Sequence, residues 1–578
     1  MRRPHEALAE AVARHVPMSP AEIGSLLETP PSADLGDLAL PCFALAKELR
    51  RPPPQVASEL SAAVELPQGI QRAAARGPYV NFFLDRQAAA ERVLGEIRRP
   101  GWHVRSVDDA QAETFVVEYS SPNIAKHLGV HHLPGTLIGR TLCRILRALG
   151  HNVVALNFLG DWGTGFGKLI AAVERYGIPD PLRLTVSDLQ DLYVRYSADA
   201  ADDPALEQAA RDAGRRLEEG EERARACWEA FKEISLDEFE HVYAMLGVQF
   251  DRYMPESLYA DRLQATLQRM TDSAVARESD GALVVDFGEQ MPSLILRRSD
   301  GTSLYSARDI AAAEHRWDLY HFDHSVYVVG NEQALYLRQL QEALKKMGHH
   351  WADRMVHVNF GLIKFLDQET GRARVGSTRG GDVLLLKDLL DEAIERARAK
   401  IAQNADRLDP EADLGALAAQ IGVGAVVFAL LSSRRTRDMV FDWDRVLDFE
   451  GNTGPYVQYA HARLCSILRK AGEAAPDAAD LALLALPEEW AIVRHLERFP
   501  AIVRAAGQQY EPSTIASYLL ELCADFSAYY SAGMRDAGRR VLCPDGDLRA
   551  ARLVLVDALR VVVRAGLDLL GIAAPERM

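Results

Sequence analysis

An α/β nucleotide-binding core of the Rossmann type, with an N-terminal α+β domain and a C-terminal all-α bundle, is the fold class this sequence predicts. Three observations carry it. An apolar run, Thr114 to Val117, passes through a polar, histidine-bearing turn into a stretch with Ile138, Leu142, Ile145 and Leu149 spaced four, three and four apart, as on one face of a helix. A second apolar run, Val153 to Phe158, ends at Gly160-Asp161-Trp162-Gly163-Thr164-Gly165. Two strands joined by one helix read as a right-handed parallel crossover, the start of a nucleotide-binding sheet. From about residue 385 the patterning is almost wholly helical.

The elements follow in order. Residues 1–105 form a separate small domain: helical patterning, a loop with Pro30, Pro31, Gly36 and Asp37, a helix from Ala44 to Leu49, and a break at Pro52-Pro53-Pro54. Val56 to Val64 is again helical, and Gly77-Pro78 turns into a strand through Leu84. Residues 106–385 form the α/β core. A charged helical insertion at about 180–260 interrupts its sheet, which resumes at Ala282–Phe287, Ser293–Arg297, Ser325–Val329 and Met355–Phe360. Residues 386–578 form the helical domain.

Bulk properties narrow the class. The 578 residues suffice for roughly three or four domains at ~150 residues each. The 48% apolar and 26% charged composition is that of an ordinary globular protein. No apolar run reaches the ~18 residues of a membrane span. The start, MRRPHEALAEAVARHV, has no apolar signal core, so a cytoplasmic protein without membrane partners is expected. Six scattered cysteines without a C-x-x-C pair suggest reduced core thiols, and no metal centre is expected. A net charge of −16 argues against non-specific coating of nucleic acid. It leaves room for local basic segments such as Arg434-Arg435-Thr436-Arg437.

The turn after the first strand reads Glu118-Tyr119-Ser120-Ser121-Pro122-Asn123-Ile124-Ala125-Lys126, then Gly129-Val130-His131-His132-Leu133. A polar loop between a parallel strand and a helix is where an α/β sheet holds a phosphate, because helix N-terminal amides and the helix dipole favour an anion there. The loop resembles the ATP signature of class I aminoacyl-tRNA synthetases, in the spelling of the arginyl-tRNA synthetases. The resemblance extends through Asp34–Asp37, Gly77–Leu84, Asn157–Gly167, Tyr305–Ala311, Tyr327–Gln333, Ser377–Gly381, Phe449–Arg463, Asp557–Arg560 and the final Ala574-Pro575-Glu576-Arg577-Met578.

That resemblance implies an arginine–tRNA ligase: arginine and ATP give arginyl-adenylate, then arginyl-tRNA, with Mg2+ accompanying ATP and tRNA(Arg) as partner. It implies a class I core, an N-terminal tRNA-elbow domain and an anticodon-binding bundle, working as a monomer. An arginine guanidinium offers five donors in a planar fork and demands carboxylates. Tyr305 and Asp309, four apart on a helix, share a face. With Glu118 they match the positions that hold the guanidinium, and Asn123 and Gln333 match those at the amino end. Asn81, Tyr456 and Gln458 fall in segments that resemble tRNA contacts.

Two departures matter. Where the family writes His-x-Gly-His, this chain has Gly129, Val130, His131 and His132, so only the second histidine stays in register. A shifted loop would let His127 or His131 substitute. At the second ATP motif Val375 and Gly376 precede Ser377, Thr378 and Arg379, which places the cation work on Lys126, with Arg379 as a second phosphate cation. The altered tetrad leaves two other readings open: a paralogue using arginine or arginyl-tRNA in amide-bond formation or another special pathway, and a non-catalytic regulator that binds tRNA or arginine.

Overall fold

The structure is a computed structural model that describes residues 4–30, 35–102, 104, 107, 109–299, 305–366, 373–375, 384–403 and 413–578. It divides into two compact units. One comprises residues 1–102, 467–497 and 525–561, the other 103–466, 498–524 and 562–578.

In the first unit, strands β1 (Leu38–Pro41), β2 (Ile70–Arg76) and β3 (Tyr79–Leu84) form an antiparallel sheet in the order β1-β3-β2. The expected strand through Leu84 is β3. Its two partners are additions, since Ile70–Arg76 lacks the apolar alternation that marks a strand. Gly77 turns the hairpin at φ +57°, a conformation that suits glycine. Buried Asp37 accepts hydrogen bonds from the Leu84 amide (2.9 Å) and the Trp490 indole (2.9 Å), tying the sheet to the helix that contains Trp490.

The second unit is built on five parallel strands: β4 (Thr114–Glu118), β5 (Asn152–Asn157), β6 (Arg252–Tyr253), β10 (His324–Tyr327) and β11 (Met355–His357). Their order is β11-β10-β4-β5-β6, with β4 central. The chain leaves β4 for β5 on one side and later fills the other with β10. The strand order reverses there, so the carboxyl ends of β4 and β10 flank the crevice where such sheets bind ligands. Glu118 and Tyr327 sit opposite each other at those ends.

Three sequence expectations change. The runs at Ala282–Phe287 and Ser293–Arg297 do not resume the parallel sheet. They form a separate antiparallel sheet of β7 (Ala276–Ser279), β8 (Ala282–Val285) and β9 (Leu294–Arg297). The core also runs past residue 385. Strand β12 (Ile363–Leu366) pairs with β13 (Ala373–Val375) and, in parallel, with β14 (Met439–Phe441), so residues near 440 belong with the core. Finally, helix Leu414–Leu431 is long and apolar enough to cross a membrane by length and composition, with mean hydropathy 2.2, although Gln420 interrupts its run. It is 61% buried within the protein. A Cβ on its Gly422 would lie 2.6 Å from the carbonyl oxygen of Ala393, so it packs closely on helix Leu386–Ala402. The insertion is three helices, Val186–Ala201, Pro204–Glu218 and Glu222–Leu246.

Candidate active site

The loop after β4 is held in an unusual backbone path. Ser120 (φ +72°), Ser121 (φ +48°) and Ala125 (φ +58°) all adopt left-handed conformations, costly for residues with a Cβ and concentrated where function demands them. Neighbours fix the path. The Ile124 amide donates to the Gly160 carbonyl (3.1 Å), and the Gly160 amide donates to that of Pro122 (3.0 Å). The insertion helix Glu222–Leu246 supplies three more holds: Ser235 Oγ accepts from the Ala125 amide (2.8 Å), Tyr243 bonds Ser120 (2.8 Å) and Glu238 pairs with His127 (2.8 Å). One role of the insertion is therefore to shape this loop.

Below it, helix Leu133–Leu149 begins with Pro134 in its first turn. Gly139 lets it approach β4, because a Cβ there would lie 2.2 Å from the Tyr119 ring. Asn123 and Lys126 are exposed, and Lys126 has no ion-pair or hydrogen-bond partner among the described residues. His127 is engaged at both ring nitrogens, by Glu238 and by Ser187 Oγ (3.0 Å). This geometry gives it a bracing role and counts against the idea that it replaces the missing histidine. His132 is different. Its Nδ1 accepts the Gly129 amide at 3.1 Å, and burial lowers its pKa to about 4. The same Nδ1 also lies 3.2 Å from the Gly129 carbonyl oxygen, which can only accept, so Gly129 holds the ring in place in either neutral tautomer. His131 lies alongside, ring centroids 4.0 Å apart, exposed yet crowded enough that its pKa is also lowered.

The acidic pocket stands at the same edge of the sheet. Asp309, in helix Tyr305–Tyr320, accepts a hydrogen bond from the Tyr336 hydroxyl. It is half-buried, and desolvation pushes its pKa up to about 6; the Tyr336 bond and the Arg316 and Arg308 charges pull down, while Glu118 pushes up. Glu118 already carries a guanidinium, that of the chain's own Arg316, at 2.5 Å. Arg316 is 2% exposed and lies over the rings of Phe158 and Tyr327. Arg308 pairs with Glu256 at 3.6 Å, where burial raises the carboxyl to about 7. Gln333 is exposed at the end of the short helical turn Asn331–Gln333 that follows β10. Tyr336, Arg316, Arg308 and Glu256 are absent from the sequence reading. The seven-residue spacing from Asp309 to Arg316 places both on one helix face, a signal that was available.

Known proteins match this arrangement along the whole chain. The model for tRNA synthetases class I (R), catalytic domain, matches residues 103–443. That for the arginyl tRNA synthetase N terminal domain matches 3–84, and that for the DALR anticodon binding domain 457–578. The arginine–tRNA ligase of Clostridium perfringens is 40% identical over 575 residues, 99% of both chains. The chain belongs to the arginyl-tRNA synthetase family. The Lactococcus lactis arginine–tRNA ligase is also 40% identical, across 96% of each chain. The solved arginyl-tRNA synthetase of Thermus thermophilus superposes with TM-score 0.80 at 30% identity, covering 99% of each chain. The family's catalytic-domain match ends at 443, beyond the boundary expected at 385, in keeping with the β12–β14 pairing.

Family membership directs attention to the remaining expected residues. Ser377, Thr378 and Arg379 lie outside the described residues, as does the side chain of Tyr305. Of the residues expected to touch tRNA, Asn81 in β3 is only 5% exposed. Gln458 is 0% exposed, and its amide nitrogen donates to the carbonyls of Gln420 (3.0 Å) and Ala573 (2.9 Å). Both side chains are therefore internal, and Gln458 joins helix Gly454–Ala471 to the C-terminal tail. Tyr456 is half-buried. One turn on, exposed Tyr459 accepts a hydrogen bond from Arg463 (2.7 Å), an aromatic–guanidinium pair suited to an unstacked base. Among the described residues no group of three or more His, Cys, Asp or Glu side chains is arranged to hold a metal ion.

Proposed function

We propose that this protein activates L-arginine with ATP and transfers it to tRNA(Arg), acting as a cytoplasmic monomer. The observation that supports the reading best is the Asp309 carboxylate, oriented by Tyr336 and standing with Glu118 at the strand-order reversal, beside a strained phosphate-type loop. Asp309 takes the guanidinium, with Tyr305 and the Glu118 side of the pocket, while Asn123 and Gln333 take the amino end. Lys126 neutralises phosphate charge, and His132 contributes its neutral ring as a hydrogen-bond partner. Gly129 keeps the backbone near the nucleotide clear, and Ser377, Thr378 and Arg379 serve as further phosphate ligands. Mg2+ arrives bound to ATP. The reaction proceeds by positioning and charge stabilisation, without a covalent protein intermediate.

The test is aminoacylation of total tRNA with labelled arginine, ATP and Mg2+. Arginyl-tRNA is the expected product. AMP formation without charged tRNA would favour the amide-bond reading, and neither product would favour a binding protein.

A further inference from the structure

We propose that Arg316 is a specificity-determining positioning residue: it neutralises Glu118, so that the pocket presents one uncompensated carboxylate, Asp309, to one substrate guanidinium. The inference rests on the arginine-ligase reading and deepens it. Glu118 was expected to hold the substrate directly. Instead its Oε2 lies 2.5 Å from Arg316 Nη1, and both side chains are buried.

Arg316 is not poised to leave. Its guanidinium carbon lies 5.2 Å from the Phe158 ring centre and 5.6 Å from that of Tyr327. No carboxylate other than Glu118 pairs with it among the described residues. The other nearby guanidinium, Arg308, has its own partner in Glu256. By geometry Glu118 is paired with Arg316 and Glu256 with Arg308, so Asp309 is the carboxylate of this cluster with no ion-pair partner among the described residues, and an arginine side chain supplies one. A buried site with unmatched charge binds poorly in either direction. Without Arg316, two carboxylates would compete for one guanidinium. Without Glu118, Arg316 would repel the substrate.

A double-variant cycle separates this charge-matching role from a purely structural one. Glu118→Gln leaves Asp309 facing an unpaired Arg316 and should raise KM for arginine by at least about ten-fold in tRNA-dependent pyrophosphate exchange, with KM for ATP little changed. Adding Arg316→Met restores the single negative charge, and a buried ion pair replaced by matched neutral groups is often tolerated. The double variant should therefore recover KM for arginine to within about five-fold of wild type. Equal or greater loss in the double variant would overturn the proposal, and so would an unchanged KM in Glu118→Gln. If Glu118→Gln fails to fold, as thermal melting would show, the double variant against wild type decides by the same five-fold criterion. A wild-type protein that exchanges pyrophosphate with no dependence on arginine would instead refute the parent reading.

Discussion

Replacing Asp309 with asparagine should separate the charge of the arginine pocket from its shape. The two side chains have nearly the same volume, and the asparagine carbonyl still accepts the Tyr336 hydroxyl. What is lost is the charge opposite a desolvated guanidinium, worth about 2–3 kcal/mol, or roughly 30- to 150-fold in KM for arginine. A second signature comes from titration. Free Asp309 has its pKa raised to about 6, with Glu118, Arg316, Arg308 and Tyr336 as its nearest influences and Glu256 beyond Arg308. Binding a guanidinium needs the ionised form, and the arginine side chain does not itself titrate in this range.

In the wild type, 1/KM for arginine should therefore fall as pH drops through about 6, and Asp309→Asn should lack that limb. Tyr336→Phe removes a bond that lowers the pKa, so the limb should move to higher pH. Stability runs the opposite way. A carboxyl with a higher pKa folded than unfolded binds protons more tightly when folded, so it weakens folding as pH rises between the ordinary carboxylate range and about 6. Asp309→Asn should raise Tm at pH 8 while damaging KM. Steady-state exchange kinetics across pH and thermal melts measure both. An asparagine variant that keeps the acid limb, or loses kcat without losing KM, would refute the assignment.

Other outcomes follow from the loop. Lys126→Ala should lower adenylate formation at least ~100-fold, about 2.7 kcal/mol of transition-state stabilisation, measured by pyrophosphate exchange with tRNA present. His132→Ala should reduce kcat more than substrate binding. His127→Gln should loosen the contacts to Glu238 and Ser187 and lower Tm, with exchange kcat within a few-fold of wild type; a collapse in kcat at unchanged Tm would restore His127 to the chemistry. Gly139→Ala would drive a Cβ to 2.2 Å from the Tyr119 ring and should cost about 1–3 kcal/mol in denaturant melts.

The parallel sheet was legible because its strands are covered on both faces and read as short continuous apolar runs, Thr114–Val117 and Val153–Phe158. The same signal misled at Ala282–Phe287. Apolarity reports burial, not which strand lies alongside or in which direction it runs. β6 escaped notice because two residues carry no periodicity. In the site, residue type located the carboxylates but not their partners. Helical spacing puts Arg316 on the face of Asp309, but only the fold places it 2.5 Å from Glu118. Asn81 and Gln458 failed in the opposite sense: an amide looks like a contact for RNA, yet here it serves the interior.

In the altered tetrad one histidine position is lost and one is kept. The first histidine's place holds Gly129, whose amide is spent on His132 Nδ1. The Gly129 backbone amide and carbonyl both hold His132 Nδ1, and burial keeps the ring neutral near pH 7. One of the two signature histidines thus survives, already oriented, and losing the donor of the other costs about 100- to 1000-fold in rate where nothing replaces it. His131 is the available replacement, since it lies beside His132 and makes no hydrogen bond among the described residues, whereas His127 is occupied. A His131→Ala variant that loses about 100-fold in exchange would identify His131 as the second donor. If instead it matches wild type while His132→Ala is severely impaired, this enzyme works with a single histidine, and the burden of the phosphate charge falls on Lys126.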